Sequence, residues 1–119
     1  AAKIGAGFRA FFRLAEAWGL SAEEARVLLG QPPRATFFQW KSGRVRRVPM
    51  DTVRRISWLH GIWKALQILF AVPERADGWV RRPNVLLGGQ SALERMLAGD
   101  VTDLAAVRNL LDSARGGGV

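Results

Sequence analysis

Arg34, Thr36, Gln39, Lys41, Ser42, Arg44, Arg46 and Arg47 stand close together between positions 34 and 47. Guanidinium forks, a carboxamide and hydroxyls are the groups that reach base edges in a major groove and oxygens along a phosphate backbone. Residues 34–55 hold seven basic side chains against Asp51 alone, in a chain of 119 residues with net charge +8. From Asn84 onward the balance reverses, with Arg95, Arg108 and Arg115 facing Glu94, Asp100, Asp103 and Asp112. A basic first part and a near-neutral second part imply two partners, a polyanion for the first and a protein for the second. A nonspecific nucleoid protein would spread its charge over the whole surface, which this chain does not.

Catalysis finds little support. His60 is the sole histidine and falls within a helical pattern, where a structural role is the ordinary one. Glu23 and Glu24 are adjacent, so on a helix they point in different directions and cannot act as an acid/base pair. No Ser/His/Asp set, phosphate loop or metal-ligand spacing occurs, and the chain is read as a non-enzyme without a cofactor or metal. There is no cysteine, hence neither a disulfide framework nor a thiolate site. No apolar run approaches the roughly 20 residues of a membrane span. The start at Ala1-Ala2-Lys3 has no hydrophobic signal core, and the lack of cysteine makes a reducing cytoplasm the expected setting.

The elements that must position the basic residues are helices. Phe8, Phe11, Phe12, Leu14, Ala15 and Trp18 recur at helical spacing and stop at Gly19. Ser21 and Glu24 form a capping box that opens a second helix, Ala22–Leu29, stopped by Gly30. Pro33 suits the first position of a third helix over Arg34–Lys41, with Ala35, Phe38 and Trp40 expected inward and Arg34, Thr36 and Gln39 outward. A long helix from Pro49-Met50 or Asp51 to about Phe70 carries Ile56, Leu59, Trp63, Leu66 and Phe70 on one face, widened by Trp58, Ile62 and Leu69. Gly61 within it marks a kink or a close helix contact. Val72-Pro73 breaks it. Thr102 with Asp103 is expected to cap a last helix, Leu104–Ala114, before a glycine-rich tail. A helix, a sharp turn and a short basic helix make a helix-turn-helix, with Lys41, Ser42, Arg44, Arg46 and Arg47 where the chain would cross a phosphate backbone.

Residues 79–99 form a second, denser motif: Trp79, Arg82-Pro83-Asn84, three apolar residues ending at Leu87, Gly88-Gly89, then Ser91 to Gly99. Arg82 before Pro83 is pushed toward an extended form, Gly88 and Gly89 permit positive φ, and Ser91 with Glu94 is a capping box for Ala92–Leu97. Trp79, Pro83, Asn84, Leu87, Gly88 and Gly89 read as scaffold. This block closely resembles the toxin-binding domain of the Xre/MbcA/ParS antitoxin family. Residues 20–70 resemble the family's N-terminal region, through Glu23-Glu24-Ala25-Arg26, Leu28-Leu29-Gly30, Trp40-Lys41, Gly43, Ile56-Ser57, Leu59 and Lys64-Ala65-Leu66.

The resemblance implies an all-α protein with an Xre-like helix-turn-helix region over 1–70, including the long connecting helix, and a small toxin-binding domain over 71–119. It implies an antitoxin that covers a RES-domain, NAD-consuming toxin, with the extreme C-terminus, Arg115, Gly116, Gly117, Gly118 and Val119, reaching toward the toxin's NAD pocket. The exposed faces of Ser91–Leu97 and Asp103–Arg115 are the expected contact surfaces, with Arg82, Ser91, Arg95, Arg108 and Asp112 as candidate contacts. A homodimer bound to operator DNA completes the reading, because palindromic sites call for two related recognition helices. The alternative is a helix-turn-helix regulator whose C-terminal domain only mediates assembly.

Overall fold

A computed structural model describes residues 2–115, with the side chains of Ala2 and Arg115 outside the description. Its helices are α1 (Ala2–Ala17), α2 (Ala22–Leu28), α3 (Arg34–Lys41), α4 (Met50–Leu69), α5 (Pro73–Gly78), α6 (Ala92–Met96) and α7 (Val101–Arg115). Two 3-10 turns, Trp79–Arg81 and Val85–Leu87, lie between α5 and α6. The all-α expectation is borne out, and no strand forms among the described residues. The capping boxes form as the sequence requires. Ser21 Oγ accepts from Glu24 N at 3.1 Å while Glu24 Oε1 accepts from Ser21 N at 2.9 Å. Ser91 and Glu94 repeat the exchange at 3.0 and 3.2 Å.

The N-terminal core is an aromatic cluster. Phe8, Phe11 and Trp18 of α1 are buried with Phe37 and Trp40 of α3. Phe8 packs on Trp40 with ring centroids 4.9 Å apart, and Phe12 meets Phe37 at 5.7 Å. This packing corrects the expected face of α3. Phe37 and Trp40 point inward, while Ala35 is exposed and Phe38 is 52% exposed. The inward face is chosen by the aromatic row that α1 presents, and Phe37 and Trp40, three apart, meet it together.

Helix α4 is shared. It packs on α1 and on α7, so the regions expected over 1–70 and 71–119 meet along one spine of 20 residues, about 30 Å long. Leu59, Ile62, Ala65 and Leu66 are fully buried there, with Leu104, Val107 and Leu111 of α7 in the same core. The Arg108 guanidinium lies directly over Gly61, where a Cβ would collide with it. The glycine is thus a close helix contact.

Two further features differ from expectation. After the break at Val72, Pro73 starts a short helix, α5, which buries Ala76. Helix α7 begins at Val101, three residues early, because Asp100 supplies the cap. Asp100 Oδ1 accepts from Thr102 N at 2.9 Å and from Thr102 Oγ1 at 3.1 Å, and Asp103 Oδ2 accepts in return from Asp100 N at 3.1 Å. The two bonds from Thr102, its backbone N–H foremost, hold the Asp100 carboxyl below its ordinary pKa.

Candidate nucleic-acid and partner interfaces

Helix α3 follows α2 across a turn in which Gly30 (φ +98°) and Gln31 (φ +59°) reverse the chain. The turn is fixed from below by Thr52, whose Oγ1 donates to Leu29 O at 3.1 Å. Arg34, Ala35, Phe38, Gln39 and Lys41 are exposed along α3, and Thr36 is half-buried. Thr36 shares a cleft with Arg47, Pro33, Val48 and Pro49, so two expected DNA contacts are brought together there. Ser42 Oγ donates to Gln39 O at 2.9 Å and closes the helix end.

Arg34 stands differently. It lies 3.6 Å from Glu23 of α2, whose carboxylate also accepts two bonds from Arg26 at 2.7 and 3.1 Å. The hydrogen bonds from Arg26, then the charges of Arg26 and Arg34, lower the Glu23 pKa. Lys41, Arg44, Arg46 and Arg47 are exposed, and among the described residues no carboxylate pairs with them. Arg9 and Arg13 of α1 line a second groove with Lys41, beside Glu16. Neither arginine is among the expected DNA contacts. Their i, i+4 spacing on the polar face of α1 is the signal that could have marked them.

The other surface is a turn. Arg82 is extended (φ −81°, ψ 137°), its Nη2 donates to Arg75 O at 2.6 Å, and its guanidinium stands 6.0 Å from the centre of the Phe70 ring. Pro83 and Ser91 form an isolated antiparallel bridge. Between them Asn84 is the organiser. Its N donates to Gln90 O at 2.9 Å, its Oδ1 accepts from Leu86 N at 2.9 Å, and its O accepts from Leu87 N at 3.0 Å and Gly89 N at 2.9 Å. Gly88 (φ +68°) and Gly89 (φ +90°) occupy the left-handed region that such a tight return needs. Leu87 turns toward the core, while Val85 is 88% and Leu86 55% exposed. Neither exposed residue stands out in the sequence.

The remaining partner-facing residues are placed unevenly. Ser91 is buried, and its hydroxyl is engaged in the cap of α6. Arg95 donates to Asp103 Oδ1 at 2.9 Å, and Arg108 donates to both carboxylate oxygens of Asp112 at 3.1 and 3.3 Å. The side chain of Arg115 and all of Gly116–Val119 fall outside the described residues.

Two arginines bind the surfaces to each other. Arg81, next to the turn, donates to Trp18 O at 3.0 Å and Gly19 O at 2.7 Å at the end of α1, and lies 3.4 Å from Glu24. Arg55, buried in α4, donates to Asp51 Oδ2 and to Gly99 O, each at 2.8 Å. His60 is exposed on α4, and among the described residues no group of three His, Asp or Glu could hold a metal ion. No helix among them is long and apolar enough to cross a membrane.

A helix-turn-helix packed through α4 on a second helical unit is the class of architecture that the described residues form. Comparison with known families agrees on both halves. Residues 2–59 match the antitoxin Xre-like helix-turn-helix domain, and residues 65–117 match the antitoxin Xre/MbcA/ParS C-terminal toxin-binding domain. The chain belongs to the Xre/MbcA/ParS antitoxin family. It is similar to "Uncharacterized protein y4oB" of Sinorhizobium fredii (strain NBRC 101917 / NGR234), with 52% identity over 116 residues, covering 98% of this chain and 89% of the relative. No solved structure matches it.

Proposed function

We propose that this antitoxin neutralises a RES-domain, NAD-degrading toxin by covering its active site, and that it represses its own operon as a DNA-bound homodimer. The observation that carries the first half is the Pro83–Ser91 turn. It sits inside the toxin-binding domain and holds two aliphatic side chains out in water on a frame of backbone hydrogen bonds. Exposed apolar residues on a rigid frame are what a protein interface uses as anchors, since little order remains to be gained on binding. Val85 and Leu86, with the flanking Arg82, therefore join Arg95, Arg108 and Asp112 as the contact surface, and Ser91 acts only as scaffold.

The tail Arg115–Val119 completes the inhibition by entering the NAD pocket, acting at high effective concentration once the domain is docked. Purified toxin mixed with each variant, followed by NAD loss and by pull-down, tests this. Deleting Arg115–Val119 should leave the complex assembled and restore NAD consumption. A tail-less protein that still blocks the enzyme shows inhibition by the domain surface alone. Val85→Asp should instead abolish the complex, and full binding by that variant refutes the anchor.

The dimer draws nothing from the aromatic residues of α1, because Phe8 and Phe11 are buried within one chain. What supports it is the apolar groove along α1 and α4 between Ile4, Gly7, Ala10, Val53 and Ile56. Light scattering at micromolar concentration decides the question, and a monomer-sized species alone would rule the dimer out.

A further inference from the structure

The outward face of α3 has an unusual chemistry for a basic protein. Ala35, Phe38 and Gln39, at i, i+3 and i+4, share one exposed face of the helix. Phe38 is half in water, and its ring is set edge-on against buried Phe37 at 5.1 Å with an interplanar angle of 80°. Arg34, the forked cation at the start of the helix, is exposed and shares a cleft with Phe38 and Glu23, 3.6 Å from the carboxylate. The face offers one carboxamide and two apolar surfaces, with exposed Arg34 beside Phe38 and exposed Lys41, Arg44, Arg46 and Arg47 following in the chain.

We propose that this face reads thymine–adenine steps in a major groove, with Phe38 and Ala35 packed on thymine C5-methyl groups and Gln39 paired with an adenine edge. The inference rests on the DNA-binding half of the proposed function and adds which bases are read, and how. Thymine alone presents a methyl group in the major groove, and apolar side chains are its natural contacts. A carboxamide matches the N6 donor and N7 acceptor of adenine in a bidentate pair. The neighbouring cations select the occupant: a polyanion satisfies them, whereas an apolar protein patch would leave those charges against its rim.

The test uses the full chain and duplexes that it enriches from a randomised pool, resynthesised with deoxyuridine in place of every thymidine. Uracil keeps the base pair and its acceptors and loses only the methyl. Affinity of the unaltered protein should fall about fourfold for each methyl that the face covers, the equilibrium factor for burying one such group. Phe38→Ala should bind the thymidine duplex more weakly and lose most of the distinction between the two duplexes. Gln39→Ala should lose about tenfold in preference for the enriched adenine positions. Tight, sequence-selective binding that ignores the uracil exchange overturns the inference and leaves the DNA reading intact. Failure to bind any duplex at low salt overturns both. An unchanged duplex preference in Phe38→Ala, with altered sedimentation of that variant, assigns Phe38 to a protein contact instead.

Discussion

Both candidate interfaces put apolar side chains into water, yet they hold them there by opposite means. On α3, Phe38 is displayed because Phe37 and Trp40 of the same helix are packed into the aromatic row of α1. The helix has no side-chain cap at its start, so its position depends on the core beneath it. In the Pro83–Ser91 turn, Val85 and Leu86 are displayed by backbone hydrogen bonds around Asn84 and by two glycines in the left-handed region. Packing controls one surface and backbone conformation the other. The first should fail when volume is removed from the core, the second when a Cβ is added to the loop.

The sharpest break follows from neighbouring phenylalanines. Phe37→Ala should destabilise the protein by about 3–5 kcal/mol, the usual result of emptying an aromatic site in a core. Phe38→Ala, one residue on and half exposed, should cost less than about 1 kcal/mol. Urea midpoints of the two variants measure the difference, and equal losses would show that the inward face of α3 is misassigned. Gly89→Ala follows in size. Nothing crowds a Cβ at that position, so its cost is the left-handed backbone alone, about 1–2 kcal/mol. It should also lower toxin binding without touching DNA binding, because the turn is remote from α3 in sequence and in support.

That same contrast explains what the sequence could disclose. Capping boxes at Ser21 and Ser91 are legible because their chemistry is complete within four residues. The glycines of the turn are legible for the same reason. The face of α3 is not, since Phe37 and Phe38 are equally apolar and the choice is made by Phe8 and Phe12, far away in the chain. Helix α5, Pro-Glu-Arg-Ala-Asp-Gly, has no periodic apolar pattern and reads as a simple break. Val85 and Leu86 escape notice because apolar residues are ordinarily read as interior. The reach of Arg81 to Trp18 O, and of Arg55 to Gly99 O, is a tertiary fact that no local pattern announces.

A further pair of variants separates the surfaces by function with little effect on stability. Replacing Arg44, Arg46 and Arg47 together by Ala should weaken binding to every duplex and flatten the salt dependence by about one unit of slope for each phosphate left without its cation. The urea midpoint should stay within about 0.5 kcal/mol, as these side chains are exposed and unpaired among the described residues. Val85→Ala should do the converse, weakening the toxin complex while leaving the salt slope on DNA unchanged. A variant that moves both readouts would show that the two surfaces overlap.

The smallest effect is expected in acid, where each surface has one carboxylate with a lowered pKa. Glu23 is held down chiefly by the hydrogen bonds from Arg26, and Asp100 chiefly by the backbone N–H of Thr102. A carboxyl group that binds its proton more weakly in the folded chain than in the unfolded one stabilises the fold above its unfolded pKa. That contribution is lost as pH falls through the folded value, because the unfolded chain takes up the proton first. Stability should therefore be level from neutral pH down to the ordinary carboxylate range and decline below it. Both groups are at the surface, so water and salt screen the gain and the decline is modest. Glu23→Gln should remove the part that arises at α2 and α3, and Asp100→Asn the part at the start of α7. Urea midpoints of the two variants and the parent, compared at about pH 7 and about pH 3, resolve the two shares.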